Sequence, residues 1–230
     1  MTDTAKIVIC GLDRAGKTSI IKFIQEGQYM ETMRTLGYSI EDLKMKKLNF
    51  ELHDLGGQEQ FRGDWRMHFP GSNAIIWVVD SSAPERFEES KREFDKIKGM
   101  VPGNAVLILM ANKQDIEDSI SSEEIKEFLN LQELGIPVKA FETSAITAEG
   151  LKESMRWIYE NIKGEKMQKL GYFPPAIHIQ DRTYKCIYLQ AGECPTPDSV
   201  PSSCSNCEYC SCENCLNQVP ACLELFEIRN

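Results

Sequence analysis

A short stretch near the amino terminus constrains the fold of this chain more than any other feature. An apolar run at residues 7–10 leads into a loop, and a helix-like segment follows at residues 19–24; the loop reads Gly11-Leu12-Asp13-Arg14-Ala15-Gly16-Lys17-Thr18. This order fits G-x-x-x-x-G-K-[ST] between a strand and a helix, which is typical of a phosphate-binding loop. Backbone N–H groups would face the phosphates, Lys17 would reach the β- and γ-phosphates, and the Thr18 hydroxyl would bind Mg²⁺. The alternative is a glycine-rich turn with a chance lysine, which the motifs downstream disfavour.

The rest of the first 164 residues alternates between strand-like and helix-like segments. Strands are predicted at residues 5–10, 38–44, 48–54, 74–80, 105–111 and 138–143, and helices at 17–26, 84–99, 125–131 and 148–162. Alternation of this kind indicates βαβ units, and the continuous apolar runs at 74–80 and 105–111 fit strands that are covered on both faces. The sequence therefore predicts an α/β fold, a doubly wound mixed sheet flanked by helices, over residues 1–164.

A second motif, Asp54-Leu55-Gly56-Gly57-Gln58, follows the third predicted strand. In doubly wound sheets the carboxyl ends of the strands form the ligand-binding edge. Asp54 is placed to hold Mg²⁺, Gly57 can bring its N–H close to a γ-phosphate, and Gln58 can orient an attacking water molecule. Alone, D-x-x-G is a weak pattern, but its distance from the phosphate-binding loop strengthens it.

A third motif, Asn112-Lys113-Gln114-Asp115, follows the apolar run at 105–111. The Asp115 carboxylate can accept hydrogen bonds from both N1–H and the 2-amino group of guanine, a pair of donors that adenine lacks. Such a site rejects the wrong base because its buried polar group would be left unpaired. Ser144 and Ala145, after the last predicted strand, can offer a backbone N–H to guanine O6. The alternative for residues 112–115 is an ordinary turn.

Together these motifs resemble the Ras superfamily of small GTPases, and most closely its ADP-ribosylation-factor (Arf) and Sar branch. Trp65 with Arg66 and Phe69, and the run Val78-Val79-Asp80-Ser81, add to the likeness, which covers residues 5–163. The resemblance implies the P-loop small G-protein fold, GTP or GDP with Mg²⁺ as cofactors, and Thr35 as a Mg²⁺ ligand beside Thr18 and Asp54.

The resemblance also implies a set of site residues. Gln58 and Lys17 would be catalytic. The nucleotide would be held by Gly11, Leu12, Asp13, Arg14, Ala15, Gly16, Lys17, Thr18, Ser19, Thr35, Gly57, Asn112, Lys113, Asp115, Ser144 and Ala145. The two switch segments would contact effector, exchange and activating proteins; switch I lies around Thr35, and switch II spans residues 58–69.

Some residues of this region leave two interpretations open. Arg14 stands where the family typically has a small residue, either as a partial arginine finger or as a solvated loop side chain. Trp65 and Phe69 fit either internal packing or an effector-facing surface. Because only four residues precede residue 5, membrane insertion by an amino-terminal helix in the Arf manner is not expected.

The net charge and the hydropathy of the chain argue against two kinds of partner, nucleic acid and a membrane that the chain would span. The formal net charge is −9, which argues against a nucleic-acid-binding surface. No run approaches the roughly 18 apolar residues of a membrane span, and the amino terminus lacks a signal-peptide layout. We therefore expect a cytoplasmic protein, with peripheral membrane contact left open.

Cysteines are concentrated in the last third of the chain. Cys10 is isolated, and the other eight of the nine cysteines follow residue 185; five of them are closely spaced, namely Cys204, Cys207, Cys210, Cys212 and Cys215. Overlapping C-x₂-C pairs suit tetrahedral Zn²⁺ in a reducing compartment. Residues 165–230 are therefore predicted to form a Cys-rich extension with one or two zinc sites. An iron–sulfur site, S-acylated cysteines or a disordered segment are the alternatives.

Two functions follow from these observations. The first is a GTP-binding molecular switch with slow intrinsic hydrolysis in Arf-like trafficking or regulation. The second is a GTP-dependent interaction module whose output is the metal-bound tail and in which hydrolysis is incidental.

Overall fold

A computed structural model describes residues 3–45, 48–164, 179–180 and 183–184. The strands are β1 (Asp3–Cys10), β2 (Tyr38–Met45), β3 (Leu48–Leu55), β4 (Ala74–Asp80), β5 (Val106–Asn112), β6 (Val138–Thr143), β7 (Ile179–Gln180) and β8 (Thr183–Tyr184). The helices are α1 (Lys17–Glu26), α2 (Glu59–Arg62), α3 (Phe87–Ile97), α4 (Ser122–Phe128) and α5 (Leu151–Lys163).

The main sheet has six strands in the order β2-β3-β1-β4-β5-β6. β1 lies parallel to β3 and β4, β4 to β5 and β5 to β6, whereas β2 is antiparallel to β3. The sheet is therefore mixed, as predicted, and the loops that follow β1, β3, β5 and β6 meet at its carboxyl edge. Strand order reverses beside β1, and such a switch point is where an open α/β sheet binds ligands.

Hydrophobic packing on both faces of the sheet confirms the doubly wound arrangement. One core contains Phe23 of α1 and Met155 of α5. The other contains Phe94 of α3 and Ile125 of α4, together with Trp65. The strands between these layers are nearly continuous apolar runs because both of their faces are buried.

The ends of several elements differ from the prediction. The α-helix expected over residues 84–99 is α3 alone, with 3₁₀ turns at Pro84–Arg86 and Lys98–Met100. Ser121 and Glu124 form a capping box, so α4 begins at Ser122, before the expected residue 125. It ends at Phe128, before the expected residue 131. α5 begins at Leu151, later than the expected residue 148, and ends at Lys163, where Gly164 caps it in a left-handed conformation.

Beyond residue 164 the structure describes only β7 and β8, which form an antiparallel pair. The five closely spaced cysteines and the proposed zinc sites lie outside the described residues. Across the described part of the chain, no helix is long and apolar enough to cross a lipid bilayer.

Candidate nucleotide site

The loop between β1 and α1 needs glycine at its two ends. Gly11 has φ +134°, and a Cβ on it would lie 2.2 Å from the Val78 carbonyl oxygen. Gly16 has φ +93°, and a Cβ there would lie 2.2 Å from the Asn112 side-chain nitrogen. The loop therefore packs directly against β4 and against the end of β5, as a phosphate-binding loop must to expose its backbone N–H groups.

Lys17, the first residue of α1, lies under this loop. Its Nζ donates to the carbonyl oxygens of Gly11 and Leu12 at 2.8 and 2.7 Å. Burial lowers the pKa of Lys17 to about 8, and the nearby Asp54 carboxylate opposes that shift. These hydrogen bonds hold the ammonium group against the phosphate-binding loop, where the phosphates of a nucleotide would be bound.

Three oxygen-bearing side chains from separate elements meet beside Lys17. The Thr18 hydroxyl lies 2.8 Å from the Thr35 hydroxyl, and both donate to Asp54 Oδ2, at 2.6 and 3.1 Å. The other carboxylate oxygen, Asp54 Oδ1, is buried without a hydrogen-bond partner among the described residues. Burial raises the pKa of Asp54, while the hydrogen bonds from Thr18 and the charge of Lys17 oppose that rise. Two hydroxyls and a carboxylate with a spare oxygen form a donor set that fits Mg²⁺.

Switch II begins against the phosphate-binding loop. The Asp13 N–H donates to the Gly57 carbonyl at 3.1 Å. A Cβ on Gly57 would lie 2.3 Å from that same nitrogen, so only glycine allows this approach. Gln58 follows as the N-cap of α2 and is half-buried at the wall of the cleft.

Two arginines surround the Asp13 side chain. Arg86 donates to its carboxylate at 2.9 Å and to its carbonyl at 2.7 Å, and Arg62 lies 3.4 Å from the carboxylate. Burial alone would raise the pKa of Asp13, but these contacts outweigh it and hold that pKa below its usual value. The Asp13 side chain thus anchors the loop to α3, because Arg86 immediately precedes that helix.

The expected base-binding residues lie together after β5 and β6. Asn112 Nδ2 donates to the Ala15 carbonyl at 2.8 Å, which ties this region to the phosphate-binding loop. Lys113 Nζ lies 2.5 Å from Asp80 Oδ2. The Ser144 hydroxyl donates to Asp115 Oδ1, also at 2.5 Å, and fixes the direction of that carboxylate. Ala145, next along the chain, is buried.

An open cleft of about 400 Å³, within the range of small-molecule sites, lies over the phosphate-binding loop and reaches Lys113, but Asn112, Asp115, Ser144 and Ala145 are not among its lining residues. Its wall includes Asp13, Arg14, Gly16, Lys17, Thr18, Ser19, Thr35, Gly57, Gln58 and Lys113. Arg14 is exposed on the rim with φ +65°, a conformation that is uncommon for a residue with a side chain. The structure thus brings both switch segments to the same cleft as the phosphate-binding loop.

Several side chains were not assigned a site role from the sequence. Arg62 and Arg86 hold the loop and switch II, and Trp65 donates from Nε1 to the Gly56 carbonyl at 2.9 Å. Trp65 and Phe69 are 2% and 0% exposed, so the packing interpretation is the right one. The sequence around an arginine in a charged segment does not show whether its side chain makes buried contacts or lies on a solvated surface.

At this edge of the sheet, the arrangement of loop, hydroxyls and carboxylate defines a P-loop small G protein. The chain belongs to the ADP-ribosylation factor family, whose model matches residues 1–162. The predicted membership in the Arf-like branch of the Ras superfamily is thereby confirmed.

Individual relatives agree with this assignment. ADP-ribosylation factor 3 of Arabidopsis thaliana is 37% identical over 166 residues, which cover 69% of this chain and 88% of the relative. ADP-ribosylation factor-like protein 1 of Caenorhabditis elegans is 37% identical over 168 residues, covering 70% and 91%. A solved structure of the Arl6 BBS3 small GTPase from Trypanosoma brucei, with bound nucleotide analogue GppNp, matches with TM-score 0.62 and 29% identity, covering 70% of this chain and 98% of that one.

Proposed function

We propose that this protein is a GTP-dependent molecular switch that hydrolyses GTP slowly on its own and changes its partner surface when the γ-phosphate is lost. Family membership supports GTP binding and hydrolysis in general. The observation that carries the switch proposal is the position of Thr35, which reaches Thr18 and Asp54 from switch I. A segment held at the phosphate site by a few side-chain hydroxyls, those of Thr35 and Thr32, can be released when the ligand changes.

The proposed roles follow from the contacts. Lys17 and the loop amides bind the phosphates, and Gln58 orients the attacking water. Mg²⁺ held by Thr18, Thr35 and Asp54 supplies charge neutralisation at the phosphates when it is bound. Asp115, oriented by Ser144, reads guanine. Effector, exchange and activating proteins would bind the switch segments, and a cytoplasmic location stays a prediction.

The alternative is a GTP-bound interaction module whose output is the tail and for which turnover is incidental. The presence of Gln58 beside the phosphate-binding loop favours the switch. Multiple-turnover GTPase assays with and without cell extract separate the two. Acceleration by extract supports the switch, whereas a rate that extract leaves unchanged supports the module.

Gln58→Leu is expected to slow single-turnover GTP hydrolysis by about tenfold or more, because leucine cannot orient water and positioning of reactants is worth large factors. GDP affinity should be unchanged, since Gln58 is assigned no part in holding the diphosphate. The matched control is Gln60→Leu, which makes the same change at an exposed position two residues away. Equal hydrolysis by wild type and Gln58→Leu would contradict the role given to Gln58.

The division into a GTPase domain at residues 1–164 and a zinc-binding extension at 165–230 is also a proposal. The family match over residues 1–162 supports the first part, and the cysteine spacing alone supports the zinc-binding part. Metal analysis of purified full-length protein should find roughly one or two zinc ions per chain. Cys207→Ser should lower that content, and Cys10→Ala should not. Protein that carries guanine nucleotide but no zinc would overturn the zinc proposal and leave the switch intact.

A further inference from the structure

Arg62, the last residue of α2, connects the start of switch II to α3. Its side chain is only 7% exposed, although α2 lies at the surface. Its Nε donates to the Gly57 carbonyl at 2.8 Å. The other guanidinium nitrogens lie 2.8 Å from Glu89 and 3.6 Å from Glu93, both on α3. A planar guanidinium can hold a carbonyl and a carboxylate in fixed directions at once.

Arg62 is not needed to neutralise these carboxylates, because each has a second cationic partner. Glu89 and Asp13 pair with Arg86 at 3.0 and 2.9 Å, and Glu93 pairs with Lys96 at 2.8 Å. The contact that Arg62 alone provides among the described side chains is the hydrogen bond to the Gly57 carbonyl. Replacement of Arg62 by alanine would therefore leave none of these three carboxylates without a cationic partner.

The Gly57 carbonyl belongs to the peptide group that joins Gly57 to Gln58. Because a peptide group is planar, holding its oxygen also sets the direction of the Gln58 N–H and the position of the Gln58 Cα. The Asp13 N–H binds the same oxygen from the phosphate-binding loop at 3.1 Å. The peptide before Gln58 is thus fixed between the phosphate-binding loop on one side and α3, through Arg62, on the other.

We infer that Arg62 is a positioning residue for GTP hydrolysis: it holds the Gly57–Gln58 peptide so that the Gln58 side chain is presented to the attacking water. This inference rests on the proposed function of Gln58. Arg62 is not among the residues that line the nucleotide cleft, so it would act on Gln58 through the backbone. A displacement of about 1 Å in a positioned group can cost on the order of a hundredfold in rate.

The test is a double-mutant cycle on full-length, GTP-loaded protein, measured by single-turnover hydrolysis. Arg62→Ala should slow hydrolysis by about tenfold in the wild-type background and leave it unchanged in the Gln58→Leu background, since residues that act as a unit are non-additive. GDP affinity should stay within about twofold. Arg66→Ala, which removes an exposed arginine from the same segment, is the matched control and should have no effect.

The same cycle contains the results that would overturn the inference. Equal slowing by Arg62→Ala in both backgrounds would show a general structural role, and no slowing in either would show no role. If Gln58→Leu alone fails to slow hydrolysis, the proposed function of Gln58 fails first, and this outcome is distinct from the other two. If the alanine variant does not fold, the cycle is repeated with Arg62→Lys, which keeps the positive charge but lacks the planar guanidinium group. A smaller decrease in the hydrolysis rate is then expected.

Discussion

Asp115→Asn is expected to lower the affinity for GDP by a factor on the order of 10²–10⁴. Asparagine has the same shape, but its NH₂ group would face the N1–H or 2-amino donor of guanine. Two hydrogen bonds to a charged acceptor, worth about 1.5–3 kcal/mol each, would be lost or replaced by a donor–donor contact. Ser144 can still donate to the remaining carbonyl oxygen, so the loop itself should keep its position.

The measurement is competitive displacement of a labelled nucleotide by GDP and by xanthosine diphosphate. Xanthine has a carbonyl in place of the 2-amino group, so it presents an acceptor to the new NH₂ donor, and the variant should prefer it. Asp118→Asn is the matched control, because Asp118 is exposed three residues away and asparagine tolerates its φ of +62°. Unchanged GDP affinity in Asp115→Asn, or equal losses for both nucleotides, would contradict the role of Asp115 as guanine reader.

The sequence was most informative where the chemistry depends on consecutive residues. The phosphate-binding loop, Asp54 to Gln58 and Asn112 to Asp115 are each compact motifs that follow a strand, and parallel strands bring their carboxyl ends to one edge. The meeting of Thr18, Thr35 and Asp54 was expected from the family resemblance, and the structure places their oxygens within hydrogen-bonding distance. Membership in the family and the mixed doubly wound sheet are confirmed.

The sequence was least informative where a contact joins distant segments through a side chain without a motif. Arg62 lies 27 residues before Glu89 in the sequence. Both residues stand among other charged residues, and this pattern equally fits a solvated surface. The same limit applied to Trp65, whose burial depends on its packing against Trp77 at 5.6 Å between ring centroids. Helix ends were misjudged where the chain continues as 3₁₀ turns on either side of α3, because residue propensities there do not separate the two helix types.

Gly150→Ala is expected to be among the most destabilising single substitutions in the GTPase domain. Gly150 precedes α5 with φ +66°, and a Cβ would lie 1.8 Å from the Glu142 carbonyl oxygen of β6. Since Cβ is fixed by the backbone, no side-chain rotation relieves this clash, and α5 must move away from the strand. Left-handed strain of about 1–2 kcal/mol and overpacking of about 1–3 kcal/mol together predict a loss of about 2–5 kcal/mol.

The affected loop also reaches the nucleotide site. Ser144 N donates to the Glu149 carbonyl at 3.1 Å, and the Ser144 hydroxyl orients Asp115. A shift of Gly150 should therefore weaken guanine binding as well as folding. Chemical denaturation at a fixed, saturating GDP concentration measures the loss of folding stability, because bound nucleotide otherwise alters the apparent stability. Nucleotide dissociation rates measure the loss of guanine binding.

Gly135→Ala separates backbone strain from the steric clash in this prediction. Gly135 has the same φ of +66°, but a Cβ there would meet nothing within 4 Å. Its alanine variant should therefore lose only the strain of about 1–2 kcal/mol, with nucleotide dissociation unchanged. Equal losses for the two variants would mean that α5 moves away from β6 at little cost. The close approach of Gly150 to Glu142 would then not be what holds the guanine-binding loop in place.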